Sequence, residues 1–474
     1  MKGFSRSAIA VFIALGVAGW TSAPPSESVL FSAADGSKGG IYYAGLSTGN
    51  GEALYGTTDI GGTSGCNDQG CGTVFELTPP TRGQTAWVKS VLHDFSGADG
   101  ANPQSRLITG SDGVLYGTTV QGGADDGGTV FKLAPPAAPG VAWKQTLLHG
   151  FAGGHDGFYP SGLTADMQGA LYGTTQFGGS TGCGGGCGTV FKLAPPADGR
   201  TNWTETVLYR FQGGNDGANP LANLIADANG ALYGTTPQGG GTACNGVGCG
   251  VVFKLIPPAD GQIEWTEAIL YRFQGGSDGA TPYAGLIASR EGALYGTTTA
   301  GGSGSCDCGA VFKLAPPVGP HANWTETLLY SFQGGSDGGF PNARLTADRQ
   351  GAIYGSTNEG GDLGCFGDIG GCGTVFKLTP PTRDHGAWTE SVLHRFSGGS
   401  DGAFSGELLV SDSENALYAA AASGGGGDGC GGYGCGVVFK IDLGRSFGFV
   451  PYSSVSASSA PASQYPDGGT ISPP

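Results

Sequence analysis

Short apolar runs bounded by glycine and proline recur along this chain, and one stretch shows the pattern clearly. Gly162-Leu163-Thr164-Ala165-Asp166 reads as a first strand and Met167-Gln168-Gly169 as a turn. Ala170-Leu171-Tyr172-Gly173-Thr174-Thr175 follows as a second strand, and a Gly-rich loop leads to a third at Gly188–Leu193. Pro195-Pro196 and Asp198-Gly199 then turn the chain into Trp203–Phe211, the fourth. Such short runs, rich in β-branched and aromatic residues beside recurring glycines, predict many short strands and tight turns.

The same series recurs seven times, marked by Tyr55, Tyr116, Tyr172, Tyr233, Tyr295, Tyr354 and Tyr418 at spacings of 56 to 64 residues. Fixed-period repetition of four antiparallel strands, with both faces apolar enough to be covered by neighbours, predicts an all-β, seven-bladed β-propeller of four-stranded blades over residues 24–444. The Gly-Thr-Thr segments lack the lysine and the following helix of a phosphate loop. Close packing accounts for the glycine and strand propensity for the threonines. In the last unit Ala419-Ala420-Ala421 replaces the motif, so small size matters there more than the hydroxyl.

The charges suggest how the ring closes. The third-strand lysine and the residue two after the tryptophan stand 13 apart in Lys192/Glu205, Lys254/Glu267, Lys313/Glu326 and Lys377/Glu390. In the first unit both signs are exchanged, as Glu76 and Lys89, and in the second Lys132 is matched with Gln145. A joint exchange predicts cross-strand neighbours. The seventh unit has Lys440 but no tryptophan strand after it, while Glu27-Ser28-Val29-Leu30-Phe31 matches Glu205-Thr206-Val207-Leu208 in type and order. The N-terminal strand is therefore predicted to complete the last blade, with Glu27 beside Lys440, leaving no open edge.

Composition narrows the setting. The chain has 474 residues, 95 of them glycine and 27 proline, and a net charge of −16. With no basic cluster to offset that charge, a nucleic-acid partner is excluded. Lys2 and Arg6, an apolar run from Ala8 to Ala18 and small residues up to Ala23 read as a signal peptide over residues 1–23. Cleavage is expected after Ala23 or Ala18. No later stretch is long and apolar enough for a membrane helix. Residues 445–474, rich in Ser, Pro, Ala and Gly, read as a disordered low-complexity tail.

The combination LYGTT, GG, C…CGTVFKL, W-T-E-T-x-L and F-x-GG-x-DG-x-x-P resembles the GloVer (Gloeo/Verruco) tandem repeat of bacterial exported proteins, over about residues 27–443. The resemblance implies secretion, a propeller-like repeat domain and a variable C-terminal sorting or anchoring segment. It brings no catalytic residues with it, and the tail here has no recognisable hydrophobic anchor.

Candidate chemistry falls in the loops. All twelve cysteines lie in pairs between the second and third strands: Cys66/Cys71, Cys183/Cys187, Cys244/Cys249, Cys306/Cys308, Cys365/Cys372 and Cys430/Cys435. The second unit has lost both members, as a bonded pair would, which predicts six local disulfides in an oxidising compartment. Cys306 and Cys308 would close an unusually small ring. Asp35, Asp99, Asp156, Asp216, Asp278, Asp337 and Asp401 each open an Asp-Gly step in the linker between units. They read as turn residues, with a carboxylate ring for Ca²⁺ as the alternative. His93, His149 and His394 stand where other units have Tyr209, Tyr271 and Tyr330, and His155, His321 and His385 lie in loops; none has a metal-binding spacing. The six repeated tryptophans read as packing. Function is expected where the units differ, in the loops with the cysteines and the Asp-Gly turns. With no catalytic constellation, the expected function is a secreted or cell-surface, monomeric binding scaffold for a protein or glycan. An enzyme acting on polysaccharide at the channel and a structural or adhesive surface protein are the alternatives.

Overall fold

The structure, a computed structural model, describes residues 25–444 apart from short segments at 34–39, 41, 43, 50–51, 63–64, 67–68, 111, 139, 198–201, 260–261, 305, 320–321, 362–364, 366–369, 383–385, 412–414, 427–429 and 431–433. The predicted leader and tail, Asp35, His321 and His385 lie outside the described residues. Among the described residues, no helix is long and apolar enough to cross a membrane.

Seven antiparallel sheets form a seven-bladed propeller. In the third blade the strands are Phe158–Ala165, Leu171–Phe177, Thr189–Ala194 and Thr204–Arg210, in sequence order from the axis outward. The predicted strands match these to within a few residues. The seventh blade takes its outermost strand, Ser26–Ser32, from the N-terminus. It pairs antiparallel with Val437–Asp442, placing Ser26 opposite Asp442 and Ser32 opposite Val437. Closure by the N-terminal strand is thus as expected.

The register differs from expectation by one step. Leu193, not Lys192, lies opposite Glu205, and Lys192 lies opposite Thr206. Opposed residues here are an even number apart (193 to 205 is 12, 192 to 206 is 14), so a spacing of 13 falls between rungs. The same offset holds for Glu267, Glu326, Glu390, Gln145 and Lys89, and it places Glu27 opposite Ile441 while Lys440 faces Ser28. Adjacent rungs point to opposite faces of a sheet. Lys192 therefore lies over the Tyr172 ring at 5.3 Å, while Glu205 turns towards Asp156 of the linker before its blade. The positions correspond between units, but they do not touch.

Blades are glued by aromatic rings. Phe95, Phe151, Phe211, Phe273, Phe332 and Phe396 follow the fourth strands and are fully buried. Each meets a third-strand phenylalanine of the next blade edge-on, with centroids 5.1–5.2 Å apart. Burying each contributes on the order of 2–3 kcal/mol. The Gly of the Gly-Thr-Thr strand is required by this packing, since a Cβ at Gly173 would lie 2.5 Å from Phe191 Cζ. The threonines also have a bonding role: Thr175 and Thr189 share a buried hydroxyl contact of 2.9 Å across the second and third strands.

The seam between the seventh and first blades breaks the pattern in three coordinated places. Ala33 stands where the other blades have the linker phenylalanine, and buried Tyr42 replaces the proline of Asn102-Pro103, packing edge-on against Phe75 at 5.5 Å. Lys89 replaces the fourth-strand glutamate. It donates to the Tyr42 hydroxyl at 3.0 Å and lies 4.6–5.4 Å from the rings of Phe75, Tyr42 and Phe31. Phe31 belongs to the closing strand, so this cation sits where the two ends of the chain meet. Glu76 accepts from the Tyr55 hydroxyl at 3.1 Å. The joint exchange of signs in the first unit thus reflects two separate contacts, not one ion pair.

Candidate functional site

Residues just before the inner-strand leucine face the axis, and here the seven blades differ in chemistry. In order they are Gly45, Arg106, Gly162, Asn223, Gly285, Arg344 and Glu407. Large polar side chains are interleaved with glycines for steric reasons. A Cβ at Gly162 would overlap the Asn223 amide and one at Gly45 would lie 2.8 Å from Glu407 Cβ, while one at Gly285 would lie 3.1 Å from the Asn223 backbone oxygen. The bare backbone at Gly45 leaves room for Arg106 of the second blade to reach Glu407 of the seventh.

Arg106 Nη1 donates to Glu407 Oε1 at 3.0 Å, and Arg344 Nη1 lies 3.5 Å from the same oxygen. Arg344 Nε also donates to the Leu286 carbonyl at 3.2 Å. All three ionic side chains are mostly buried, with 14–17% exposure. Burial pulls the Arg344 guanidinium down from its ordinary value; Glu407 opposes this and the charge of Arg106 adds to it. Arginine nevertheless stays protonated. The cluster therefore carries two positive charges against one negative charge, inside a strongly acidic protein.

This cluster forms a waist between two cavities. On one side, about 930 Å³ is lined by residues of all seven blades, including Tyr159, Tyr283, Phe404, Gln104, Asn342 and Asn358. That end also holds Cys430 and Gly434, so it opens towards the loops that carry the cysteines. On the other side, about 510 Å³ lies among the innermost strands, such as Ile108–Thr109 and Ile225–Ala226, and Arg106, Asn223 and Arg344 line it as well.

Apart from Cys430, the described sequence-predicted residues sit elsewhere. All six cysteine pairs are bonded as expected: Cys66–Cys71, Cys183–Cys187, Cys244–Cys249, Cys306–Cys308, Cys365–Cys372 and Cys430–Cys435. Their surroundings are largely core. Cys71, Cys187, Cys249, Cys372 and Cys435 are fully buried at 0% exposure, and Cys308 nearly so. Each stands two residues before its third strand, where the chain has already entered the sheet. Cys187 packs with Val190 and Phe211, Cys249 with Val252 and Phe273, Cys372 with Val375 and Phe396, and Cys435 with Tyr42 and Val438. These four, like Cys71, are core residues that anchor a loop and are closed to any ligand. Their first partners press on the linkers; a Cβ at Gly213 would lie 2.9 Å from Cys183 Sγ.

The six described linker aspartates cap their own turns. Asp99, Asp156, Asp216, Asp278, Asp337 and Asp401 accept from the N–H groups of Ser96, Ala152, Gln212, Gln274, Gln333 and Ser397. Each also meets the ring at the next-to-last position of the preceding strand: His93, His149, Tyr209, Tyr271, Tyr330 and His394 respectively. None is among the residues lining the wide cavity. No group of three or more His, Cys, Asp or Glu side chains placed to hold a metal occurs among the described residues.

These junctions have their own electrostatics. Burial, then the neighbouring linker aspartate, pushes Glu27, Glu205, Glu267, Glu326 and Glu390 up to about 7. In each, Oε1 is buried without a hydrogen-bond partner. The second blade has Gln145 instead, which donates to the Asp99 carbonyl at 3.4 Å. Burial alone would raise Asp99, but bonds from His93 and Ser96 override it and hold the carboxyl at about 2.

The axial residues are not marked by the repeat, because they are what does not recur. A usable signal was present: in a column where neighbouring positions are near copies, Gly, Arg, Gly, Asn, Gly, Arg and Glu share no chemistry.

The Gloeobacter/Verrucomicrobia repeat model matches three overlapping stretches, residues 20–247, 143–369 and 245–470, and the chain belongs to that family. Among curated proteins no relative matches. Similar solved structures include a luciferin-regenerating enzyme, 11% identical with a TM-score of 0.42, over 90% of this chain and 98% of that one. PorZ, a surface component of the type-IX secretion system of Porphyromonas gingivalis, is 14% identical with a TM-score of 0.48, over 87% of this chain and 48% of that one. The extracellular domain of a one component system from B. thetaiotaomicron is 12% identical with a TM-score of 0.44, over 90% and 43% respectively. Likenesses this distant carry nothing about ligand or activity.

Proposed function

We propose that this protein is an exported binding scaffold that takes its ligand at the wide, disulfide-bearing end of the axial channel. The observation that carries this is the broken symmetry at the axis. Blade-building positions are near copies, whereas Arg106, Asn223, Arg344 and Glu407 alternate with glycines at the axial position, and Gly162 and Gly45 make room for Asn223 and Glu407. Six disulfides and the signal-like residues 1–23 support an extracytoplasmic location. Binding is favoured over polysaccharide hydrolysis because glycoside cleavage ordinarily needs two carboxyl groups. Among the described residues lining the wide cavity, Glu407 is the one carboxylate, and two arginines hold it.

The test is a glycan and protein-partner screen on the folded domain, repeated with Asn342→Trp, which narrows the wide cavity. Partners lost on narrowing support the channel. Partners that bind both forms equally place recognition on the outer surface and refute it.

A further inference from the structure

Resting on that reading, we propose that the ligand is an acidic saccharide, and that a uronate-type carboxylate docks on Arg106 and Arg344 at the channel waist. The charge count argues for an anion. A staple across the axis would need one arginine for one glutamate; here two guanidinium groups share a single oxygen of Glu407. Each guanidinium carries five N–H donors in a planar fork suited to carboxylates. The described contacts use one on Arg106 and two on Arg344. A second carboxylate would neutralise the cluster and find donors already turned to the axis, at a place shielded from bulk water, where charge pairing is strengthened.

The remainder of the cavity argues for a sugar. Gln104, Asn342 and Asn358 supply amides, which both donate to and accept from hydroxyl groups. Tyr159, Tyr283 and Phe404 supply aromatic surface with an apolar face for a pyranose ring. Tyr283 keeps 40% of its surface exposed. A cavity of about 930 Å³ falls in the range of small-molecule sites and has room for more than one sugar unit. A protein segment would have little use for a charged point so deep in the channel. A phosphate or sulfate would meet the same two arginines, so the test separates these anions from carboxylate.

The experiment is calorimetric titration of the full chain with galacturonate and glucuronate oligomers. Neutral galactose and glucose oligomers, sulfated oligomers of equal length, and acetate serve as comparisons. Uronate oligomers are expected to bind, and the neutral oligomers and acetate at least about tenfold more weakly. Arg106→Gln and Arg344→Gln should each weaken uronate binding about tenfold or more. Because Arg344 is buried and its loss could disturb folding, Glu407→Gln is the second variant. It removes the competing internal carboxylate while keeping the shape, and should tighten uronate binding by about threefold to tenfold, which misfolding cannot do. Equal binding of neutral and acidic oligomers would overturn the carboxylate while leaving a channel site in place. Preference for sulfated oligomers, or acetate binding as tightly as the uronates, would overturn the ligand class in the same way. No uronate binding overturns the inference; loss of channel dependence in the partner screen would overturn the underlying reading as well.

Discussion

Replacing Glu267 by glutamine should stabilise the protein at pH 8 and not at pH 5. Burial, and then the Asp216 carboxylate, push the Glu267 carboxyl from 4.5 up to about 7, against a smaller opposing pull from Arg272. The Tyr209 hydroxyl donates to Asp216 on the other side, so the Asp216 carboxylate stays placed beside Glu267. A carboxyl raised in the folded state binds its proton more tightly there than in the unfolded chain. The associated stability is fully present below pH 4.5 and is lost as pH rises through 7. Without solvent the shift would be worth about 3 kcal/mol, but the side chain is only half-buried, and screening reduces this to about 1 kcal/mol. Glutamine abolishes the titration and can reproduce the arrangement the second blade already has in Gln145. The assay is urea denaturation followed by tryptophan fluorescence, with disulfides intact, at both pH values. The variant should gain about 1 kcal/mol relative to the parent between pH 5 and pH 8, and changing all five junction glutamates should gain about 3–5 kcal/mol if the sites are independent. An identical difference at both pH values would refute the reasoning.

Other consequences follow from the seam and the loops. Deleting residues 24–34 removes the closing strand and its Val29-Leu30-Phe31 contacts, and should cost about 4 kcal/mol or more by lost burial; an unchanged calorimetric melt would sink the closure. Lys89→Met keeps the side-chain stem and should cost about 1–2 kcal/mol. Lys89→Glu, which restores the residue of the other blades, should cost about 3 kcal/mol or more by placing a carboxylate among three aromatic rings. Equal denaturation midpoints for the two would contradict the cation latch. The double change Cys66→Ala with Cys71→Ala should cost about 2 kcal/mol or less, because the closed loop is short. The fold should survive it, since the second blade has no such bond; loss of the cooperative transition would show otherwise.

The blade count, strand order and N-terminal closure were legible because each depends on chemistry that must recur: Gly173 against Phe191, Tyr172 under Lys192, a turn at each of the six described linker Asp-Gly steps. Corresponding positions could be matched without knowing their contacts, which is why Glu27 found the right strand but the wrong neighbour. Facing is set by whether a spacing is odd or even, and a covarying pair of charges does not reveal it. The cysteine pairs could be read from their joint loss in one unit, but not the burial of Cys187 or Cys249, which the neighbouring blade's packing imposes. The pairing at the axis, unlike the variability of that column, was illegible for the converse reason. Arg106, Arg344 and Glu407 are brought together from the second, sixth and seventh blades, and nothing local in the chain marks them as partners.

The pairing of Ser26–Ser32 with Val437–Asp442 also orders events in time. Among the described strands, the first to be made is the one whose mate is made last. Each blade in between can assemble from neighbouring segments as they appear, but Val29-Leu30-Phe31 must wait, with an unpaired edge, until Asp442 has been added. Such a strand is open to pairing with other chains for as long as synthesis lasts. Nascent chains halted before residue 437 should therefore stick to one another far more than those halted after 442, although they differ by a single strand.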